Sequence, residues 1–279
     1  MCKTTVDTQE ASNSHPPLVD IGINPTRDPL HDDWRGVIRR AVDANVKTIL
    51  LTGTSMHVSH EVLKMAKTWK QEQGSSNLFT TVGVHPCDAH TFSPFHTIKE
   101  MRNLLKHDQA VAVGECGLDY CKGTSSKAVQ KFVFRQQVQL ARELSYPLFL
   151  HERMAHQDFI DTLDDFDDLP PIVVHCFTGT AQVAEAYLQR GYYIGFTGVL
   201  CRARKGQALR DLLPRVPLNR ILLETDAPFM PFRKGRTGVS EPADLIDLAR
   251  KVSHVLDMPV EDVCQVTTQN AQDFFRIHN

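Results

Sequence analysis

The feature of this sequence that most constrains its fold is a regular alternation between short apolar runs and longer amphipathic segments. The residues that end the apolar runs recur every 23 to 36 positions, and most runs are followed by apolar residues at helical spacing. This rhythm predicts a parallel sheet whose strands are connected by helices. The strand-end residues are Asn24, Gly53, His85, Glu115, His151, His175, Gly198 and Asp226.

Eight such units in about 260 residues predict an α/β fold, a single-domain TIM-type (β/α)8 barrel. An open doubly wound sheet is the alternative, but it would need a Gly-rich phosphate-binding turn after the first strand, and Asp20-Ile-Gly-Ile-Asn-Pro is not one. Residues 1–17 are polar and end in Ser-His-Pro-Pro. We therefore expect a flexible leader, followed by a barrel over residues 18–279. The predicted strands are Leu18–Ile23, Val46–Thr52, Leu78–Val84, Ala110–Val113, Pro147–Leu150, Ile172–Val174, Tyr192–Thr197 and Arg220–Thr225.

Composition narrows the class of partner and the compartment. The 31 Lys and Arg residues nearly balance the 33 Asp and Glu residues, so any nucleic acid must be held by local charge and not by a basic face. The seven cysteines form no Cys-x-x-Cys pair, which argues against a disulfide framework and favours a reducing compartment. No secretion signal or membrane-length apolar stretch is present. We expect a cytoplasmic or nuclear protein that does not associate with a membrane and has no obligate protein partner.

Polar residues at the strand ends provide the functional prediction. In a barrel of this type, the carboxyl ends of the strands meet on one face. His85, Glu115, His151, His175 and Asp226 should therefore point into one bowl. Glu115 is expected just beyond a strand that stops at Gly114. Imidazoles and carboxylates in one site suit Zn²⁺, Mn²⁺ or Mg²⁺, with positions left open for water and substrate.

Six motifs follow one another along the chain: Asp20-Ile-Gly-Ile-Asn, Gly83-Val-His-Pro, Gly114-Glu-Cys-Gly-Leu-Asp, His175-Cys-Phe-Thr-Gly, Tyr193-Ile-Gly and Glu224-Thr-Asp-Ala-Pro. With them, the sequence resembles the TatD family of metal-dependent deoxyribonucleases, which are amidohydrolase-like barrels, over about residues 18–276. The resemblance implies a Mg²⁺-dependent 3'-to-5' exonuclease with DNA as its substrate. It also implies that Glu115, His151, His175 and Asp226 are metal ligands.

The chain departs from the family pattern in three places. Many relatives begin with Asp-x-His-x-His, whereas Gly22 and Asn24 stand at the two histidine positions, which should weaken one metal site. A subgroup carries this Asp-Ile-Gly-x-Asn form, and Asn24 could still offer an oxygen to a hard cation. Glu152 replaces the usual cysteine after the fifth-strand histidine, while Arg153 keeps the basic residue. The usual Arg-Asn-Glu-Pro becomes Val239-Ser-Glu-Pro.

These residues are predicted to have separate roles in phosphodiester hydrolysis. Glu115, His151 and His175 would fix the principal cation, and Asp226 would orient or deprotonate the attacking water, so that Glu115 and Asp226 are the catalytic pair. The cation is expected to be Mg²⁺ in function, although Zn²⁺ or Mn²⁺ could occupy the site. His85 and Arg153 would contact the scissile phosphate or the leaving oxygen.

Substrate binding would also involve Asn24 and two basic loops. The loops Arg202–Lys205 and Arg233–Arg236 follow the seventh and eighth strands, so they should place positive charge on the same rim. DNA would thus be bound locally.

Three other interpretations remain open at this point. The same metal and water could hydrolyse a small ester, amide or lactone. The missing first-strand histidines could instead indicate a catalytically silent protein that binds metal or nucleic acid. Finally, Cys116 could be a nucleophile, although no His/Asn partner arrangement is evident and a small buried thiol is the usual fate of such a cysteine.

Overall fold

The predicted barrel is present. A computed structural model describes residues 15–74, 77–232 and 238–277. Eight parallel strands form one sheet in sequential order, so the prediction of a TIM-type (β/α)8 barrel in a single domain is confirmed. The strands are β1 (Leu18–Ile23), β2 (Val46–Leu51), β3 (Leu78–Val82), β4 (Ala110–Asp119), β5 (Leu148–Arg153), β6 (Ile172–Val174), β7 (Tyr193–Phe196) and β8 (Ile221–Leu223).

Nine α-helices of the described ranges surround these strands. Several begin at a residue whose hydroxyl oxygen accepts a backbone N–H three positions later, which satisfies a donor that the helix leaves unpaired. Ser55, Ser126 and Thr180 do this at 3.2, 3.3 and 3.3 Å. The helices are α1 (Trp34–Asp43), α2 (Met56–Gln73), α3 (Pro94–Leu104), α4 (Lys127–Leu144), α5 (His156–Asp164), α6 (Ala181–Gln189), α7 (Gln207–Leu212), α8 (Leu245–Leu256) and α9 (Val260–Phe275).

The barrel closes between β1 and the segment that follows β8. The backbone N–H of Asp226 donates to the carbonyl of Gly22 at 2.9 Å, and a parallel bridge joins Ile23 to Ala227. The buried carboxylate of Asp20 reinforces this seam, because it accepts the Thr225 hydroxyl at 2.6 Å and the Thr225 N–H at 3.0 Å. The ends of β1 and β8 are therefore held at a fixed spacing at the mouth of the barrel.

Two apolar layers support the barrel. The larger core lies between the strands and the surrounding helices. A smaller cluster combines strand residues such as Ile21 and Phe149 with Phe274 and Phe275 of α9. The Phe149 ring lies 4.4 Å from the His175 ring between centroids, so the packed interior directly supports the polar mouth.

Strands β4 and β5 are longer than the sequence predicted. The predicted end of the fourth strand at Val113 is wrong, because β4 shifts register after Val113 and continues to Asp119. Glycine permits this: Gly117 has φ 141°, and a Cβ there would lie 1.9 Å from the carbonyl oxygen of His151. Glu115 and His151 are consequently strand residues: His151 is paired with Gly117, and the Glu115 N–H donates to the Gly53 carbonyl at 2.8 Å.

Other predictions have mixed outcomes. Apolar residues at helical spacing over Leu245–Val255 and Val263–Phe274 predict a final pair of helices, and α8 and α9 lie there; no helix was predicted where α6 and α7 lie. Most of the predicted leader, residues 1–14, and the basic loop Arg233–Arg236 lie outside the described residues, so both stay predictions. Among the described helices, none combines the length and the apolar character that a membrane span requires.

Candidate metal centre and active site

The predicted site residues line one cavity at the carboxyl ends of the strands. The cavity has a volume of about 420 Å³. Its walls receive side chains from β4 and β5 and from the residues that follow β1, β3, β6 and β8. The predicted residues that line it are Asn24, His85, Glu115, His151, Arg153, His175 and Asp226.

The centre of this cavity is one carboxylate oxygen surrounded by three imidazoles. Glu115 Oε1 lies 3.3 Å from His85 Nε2, 3.0 Å from His151 Nδ1 and 2.9 Å from His175 Nε2. Glu115 is 6% exposed. His85, Glu115 and His151 present ligand atoms within 4.8 Å of one another, a group that could hold a metal ion. A mixed imidazole and carboxylate set of this kind suits Zn²⁺ and related divalent cations.

Charge pairing stabilises the cluster. Burial by itself would raise the pKa of Glu115, but the imidazoles of His175 and His85 hold it well below its usual range. Burial likewise opposes a charged His175, yet Glu115 and Glu224 raise the pKa of His175 well above its ordinary value. Glu115 is therefore an anion that holds a proton on His175 when nothing else binds there.

The family assignment follows from this fold together with the sequence. Residues 19–276 match the family model described as TatD related DNase. The chain belongs to the TatD family. Two relatives named 3'-5' ssDNA/RNA exonuclease TatD, from Salmonella typhimurium and Edwardsiella piscicida, are each 37% identical to it over 265 residues. These matches cover 93% of this chain and 99% and 100% of the relatives.

A solved structure shows the same architecture. A TatD homologue from Escherichia coli K12 superimposes with a TM-score of 0.84 at 27% identity, covering 94% of this chain and 98% of that one. The predicted family and the predicted enzyme class, a hydrolase of the nuclease type, are thereby confirmed.

In this TatD-family cavity, two further carboxylates hold the outer nitrogens of two histidines. Asp119 Oδ2 lies 3.3 Å from His151 Nε2, and Glu224 Oε2 lies 3.2 Å from His175 Nδ1. A carboxylate can only accept, so Asp119 and Glu224 can hold a proton on each outer nitrogen when a cation takes the place beside the inner one. The inner nitrogen of a neutral His151 or His175 then has a free lone pair, which is the form that coordinates a metal.

His85 has the opposite arrangement. Its Nδ1 accepts the backbone N–H of Cys87 at 3.0 Å. Because a backbone N–H can only donate, this nitrogen is unprotonated, and the proton of a neutral ring resides on Nε2, which faces Glu115. Distance alone groups His85 with the possible ligands, whereas its hydrogen bonds make it a donor toward the cavity.

The Glu224 carboxylate lies directly beside Gly22, one of the two positions where many relatives carry a histidine. This carboxylate is fully buried. A Cβ at Gly22 would lie 2.8 Å from Glu224 Oε2, and a Cβ at Gly195 would lie 2.7 Å from Oε1. A histidine at position 22 would therefore need the space that Glu224 already occupies. Asn24 does reach the cavity, where its Nδ2 donates to Asp226 Oδ1 at 2.9 Å.

The rim carries positive charge, partly where the sequence indicated it. Arg153 is exposed, and it makes no ion pair with Glu152, which instead accepts the Ala155 N–H and the Tyr187 hydroxyl. Arg27 and Lys122 also line the cavity, although the sequence did not single them out. Arg202 of the predicted basic loop is less available, since its Nε donates to the Pro231 carbonyl at 2.9 Å.

The structure also bears on Cys116. The thiol is fully buried in the core between strands and helices, and this burial raises its pKa. A protonated thiol in an apolar layer is a poor nucleophile, which argues against a nucleophilic role for Cys116.

The sequence did not single out Asp119 and Glu224 as site residues, although both stand in the motifs that carried the resemblance.

Proposed function

We propose that this protein is a divalent-metal-dependent 3'-to-5' exonuclease that acts on single-stranded DNA ends. The observation that carries the proposal is the convergence of His85, His151 and His175 on one oxygen of Glu115. The names of the relatives, which describe a 3'-5' ssDNA/RNA exonuclease, support the same reaction.

The shape of the cavity supports action at a chain end. Its volume of about 420 Å³ lies near the small end of pockets that enclose small ligands, roughly 300–1,000 Å³. One terminal nucleotide suits such a space better than a continuous duplex does. The exposed cations Arg27, Lys122 and Arg153 on its rim supply the local positive charge that phosphate groups need.

Glu115, His151 and His175 would hold the metal, with Asp226 as a further ligand or as the base. When bound, a divalent cation would lower the pKa of a water molecule and neutralise charge on the phosphate. Asp119 and Glu224 keep the outer nitrogens of the two histidines protonated, so their inner nitrogens stay available. We expect Mg²⁺ in function, while the imidazoles also suit Zn²⁺ or Mn²⁺.

Asp226 has the properties of a general base. Burial raises the pKa of Asp226, and Glu224 and Glu115 raise it further against the opposing effect of His175, to about 7. A base with a pKa near the working pH is the most effective, because it is both available and able to take a proton. The hydrogen bond from Asn24 fixes the orientation of this carboxylate.

His85 and Arg153 would act on the substrate. The Nε2–H of His85 can donate a hydrogen bond to a phosphate oxygen or to the leaving oxygen of the scissile bond, which would stabilise negative charge there. Arg153 stands at the end of β5 without an ion pair to its neighbour Glu152, so its guanidinium can pair with a non-bridging oxygen.

The direct test is to remove all metal with a chelator and add back Mg²⁺, Mn²⁺ or Zn²⁺ separately. Release of mononucleotides from 3'- and 5'-labelled single-stranded DNA is then measured, with RNA and duplex DNA in parallel and Glu115→Ala as the control. We expect metal-dependent release from the 3' end that is lost in Glu115→Ala.

Two results would contradict the proposal. Equal activity in Glu115→Ala would refute the site assignment. Failure to release nucleotides with any metal, combined with hydrolysis of a small ester or lactone, would replace the exonuclease by the small-substrate hydrolase.

A further inference from the structure

Phe229 is an exposed aromatic side chain on the wall of the charged cavity. The large apolar side chains that are exposed in the described part of the chain are Phe95, Val129, Phe132, Met154 and Phe229. Of these five, Phe229 lines the cavity. Single exposed apolar residues are common, so its place matters more than its exposure. It stands three residues after Asp226 and is 47% exposed.

The backbone that carries this ring is fixed on both sides. The Phe229 N–H donates to the Asp226 carbonyl at 2.9 Å, closing a turn. From the other side, the buried Ser240 donates its N–H to the Pro228 carbonyl at 3.2 Å and its hydroxyl to the Phe229 carbonyl. The ring is thus presented on a pre-formed turn, and an aromatic side chain loses little conformational entropy when a ligand stacks on it.

The surroundings of the ring identify the ligand class. The same cavity carries the cations Arg27, Lys122 and Arg153 and the cluster around Glu115. Cations that follow a backbone, combined with an aromatic face for a base, are the usual components of single-stranded nucleic-acid sites. One aromatic residue in a cavity of about 420 Å³ matches one base at a chain end.

We propose that Phe229 stacks on the base of the terminal nucleotide and so makes this site select unpaired, base-bearing chain ends. This inference rests on the proposed exonuclease function and adds a specificity-determining residue to it. Every base has a π-face, so selection by stacking is independent of sequence. A terminal base that is paired in a duplex would have to break its pair before it could enter the cavity and stack there, so the stacking contact should favour single-stranded ends.

The test compares two single-stranded oligonucleotides that differ only at the 3' terminus, one ending in an ordinary nucleotide and one in an abasic tetrahydrofuran residue. Release of the terminal residue is measured for the wild type, Phe229→Ala and Phe229→Tyr. Phe95→Ala is the matched control, because Phe95 is an exposed phenylalanine at the start of α3 that does not line the cavity.

We expect Phe229→Ala to lower kcat/KM on the ordinary end by about 5- to 150-fold, the range that one base–aromatic stack provides, mainly through KM. Phe229→Tyr should restore most of this loss. On the abasic end the wild type and Phe229→Ala should be equal, and Phe95→Ala should match the wild type on both substrates. An equal loss on both ends, or no loss on either, would overturn the inference.

Equilibrium binding of the same two oligonucleotides, followed by fluorescence anisotropy, separates this inference from the exonuclease proposal. A protein that releases nothing, yet binds the base-bearing end more tightly in a Phe229-dependent way, would refute the exonuclease function and support stacking. Binding that ignores both the terminal base and Phe229 would overturn the stacking inference even if nucleotides are released.

Discussion

The two sides of the cavity are built in opposite ways. On the side formed by β4, β5 and β6, the ligand-type groups are deeply buried, with Glu115 and His175 only 6% and 5% exposed. On that side, the outer ring nitrogens of His151 and His175 also contact a second carboxylate, that of Asp119 or Glu224. On the side formed by β1 and β8, none of the residues that the structure describes contributes an imidazole, and the Asn24 amide donates to Asp226 through one hydrogen bond of 2.9 Å.

This difference indicates on which side of the cavity metal binding and proton transfer should occur. The side with Glu115, His151 and His175 has a complete, oriented donor set, so it should carry most of the metal affinity. On the other side, Glu224 fills the space beside Gly22 and leaves Asp226 and the open cavity for water and substrate. Substitutions on the two sides should therefore have different consequences for binding and for catalysis.

The largest effect is expected at Glu115. Glu115→Gln keeps the shape of the side chain but removes the anion on which three imidazoles converge. Metal affinity should fall by more than about 100-fold, the upper end of what the loss of an outer-shell partner costs, and nuclease activity should fall with it. Isothermal titration with Mn²⁺ or Zn²⁺ measures the affinity.

Asn24→Ala is the matched change on the opposite side. It should leave metal affinity within a few-fold of the wild type while it lowers kcat, because Asp226 loses its orienting hydrogen bond. Equal losses of metal affinity in Glu115→Gln and Asn24→Ala would remove the distinction between the two sides.

A substitution at His85 tests whether that residue binds metal or substrate. Because His85 Nδ1 accepts a backbone N–H, its Nε2–H is a hydrogen-bond donor toward the cavity, so His85→Ala should lower kcat by about 100-fold or more with little loss of metal affinity. His175→Ala should instead lose both. If His85→Ala weakens metal binding as much as His175→Ala does, His85 belongs to the ligand set.

The sequence could predict which residues near the carboxyl ends of the strands share one face, but not their hydrogen bonds. The repeat length placed His85, Glu115, His151, His175 and Asp226 on one face because strand direction in a barrel fixes where the carboxyl ends meet. The extension of β4 to Asp119 was missed, since it depends on a register shift after Val113 that no local pattern reveals.

The roles of Asp119 and Glu224 were also beyond the sequence. Both residues stand in recognised motifs, yet a motif does not show which ring nitrogen a carboxylate faces. Gly195 illustrates the same point, because it was quoted only as part of Tyr193-Ile-Gly, while in the structure it leaves the space that the Glu224 carboxylate occupies. Such contacts depend on how separate strands meet across the barrel.

Asp119 should have a smaller effect than the ligands. In Asp119→Asn, the charge that holds the outer nitrogen of His151 is lost, so metal affinity should fall by about 10- to 100-fold. Glu152→Gln is the matched control, since Glu152 lines the same cavity but accepts hydrogen bonds from Ala155 and Tyr187 and from no imidazole. Its metal affinity should stay within about twofold. Equal affinities in the two variants would show that Asp119 has no positioning role.

The smallest effect is the pH dependence of metal binding. Because Glu115 and Glu224 raise the pKa of His175 well above its ordinary value, the metal-free site holds a proton on its inner nitrogen near neutral pH. A metal must displace that proton, so affinity should rise with pH by up to about tenfold per unit for each proton released, and fall as the solution becomes acidic. Calorimetric titration in buffers of different ionisation enthalpy counts the protons. An affinity that is independent of pH between 6 and 8 would show that the metal displaces no proton from His175. The difference between the two sides of the cavity would then rest on their geometry alone.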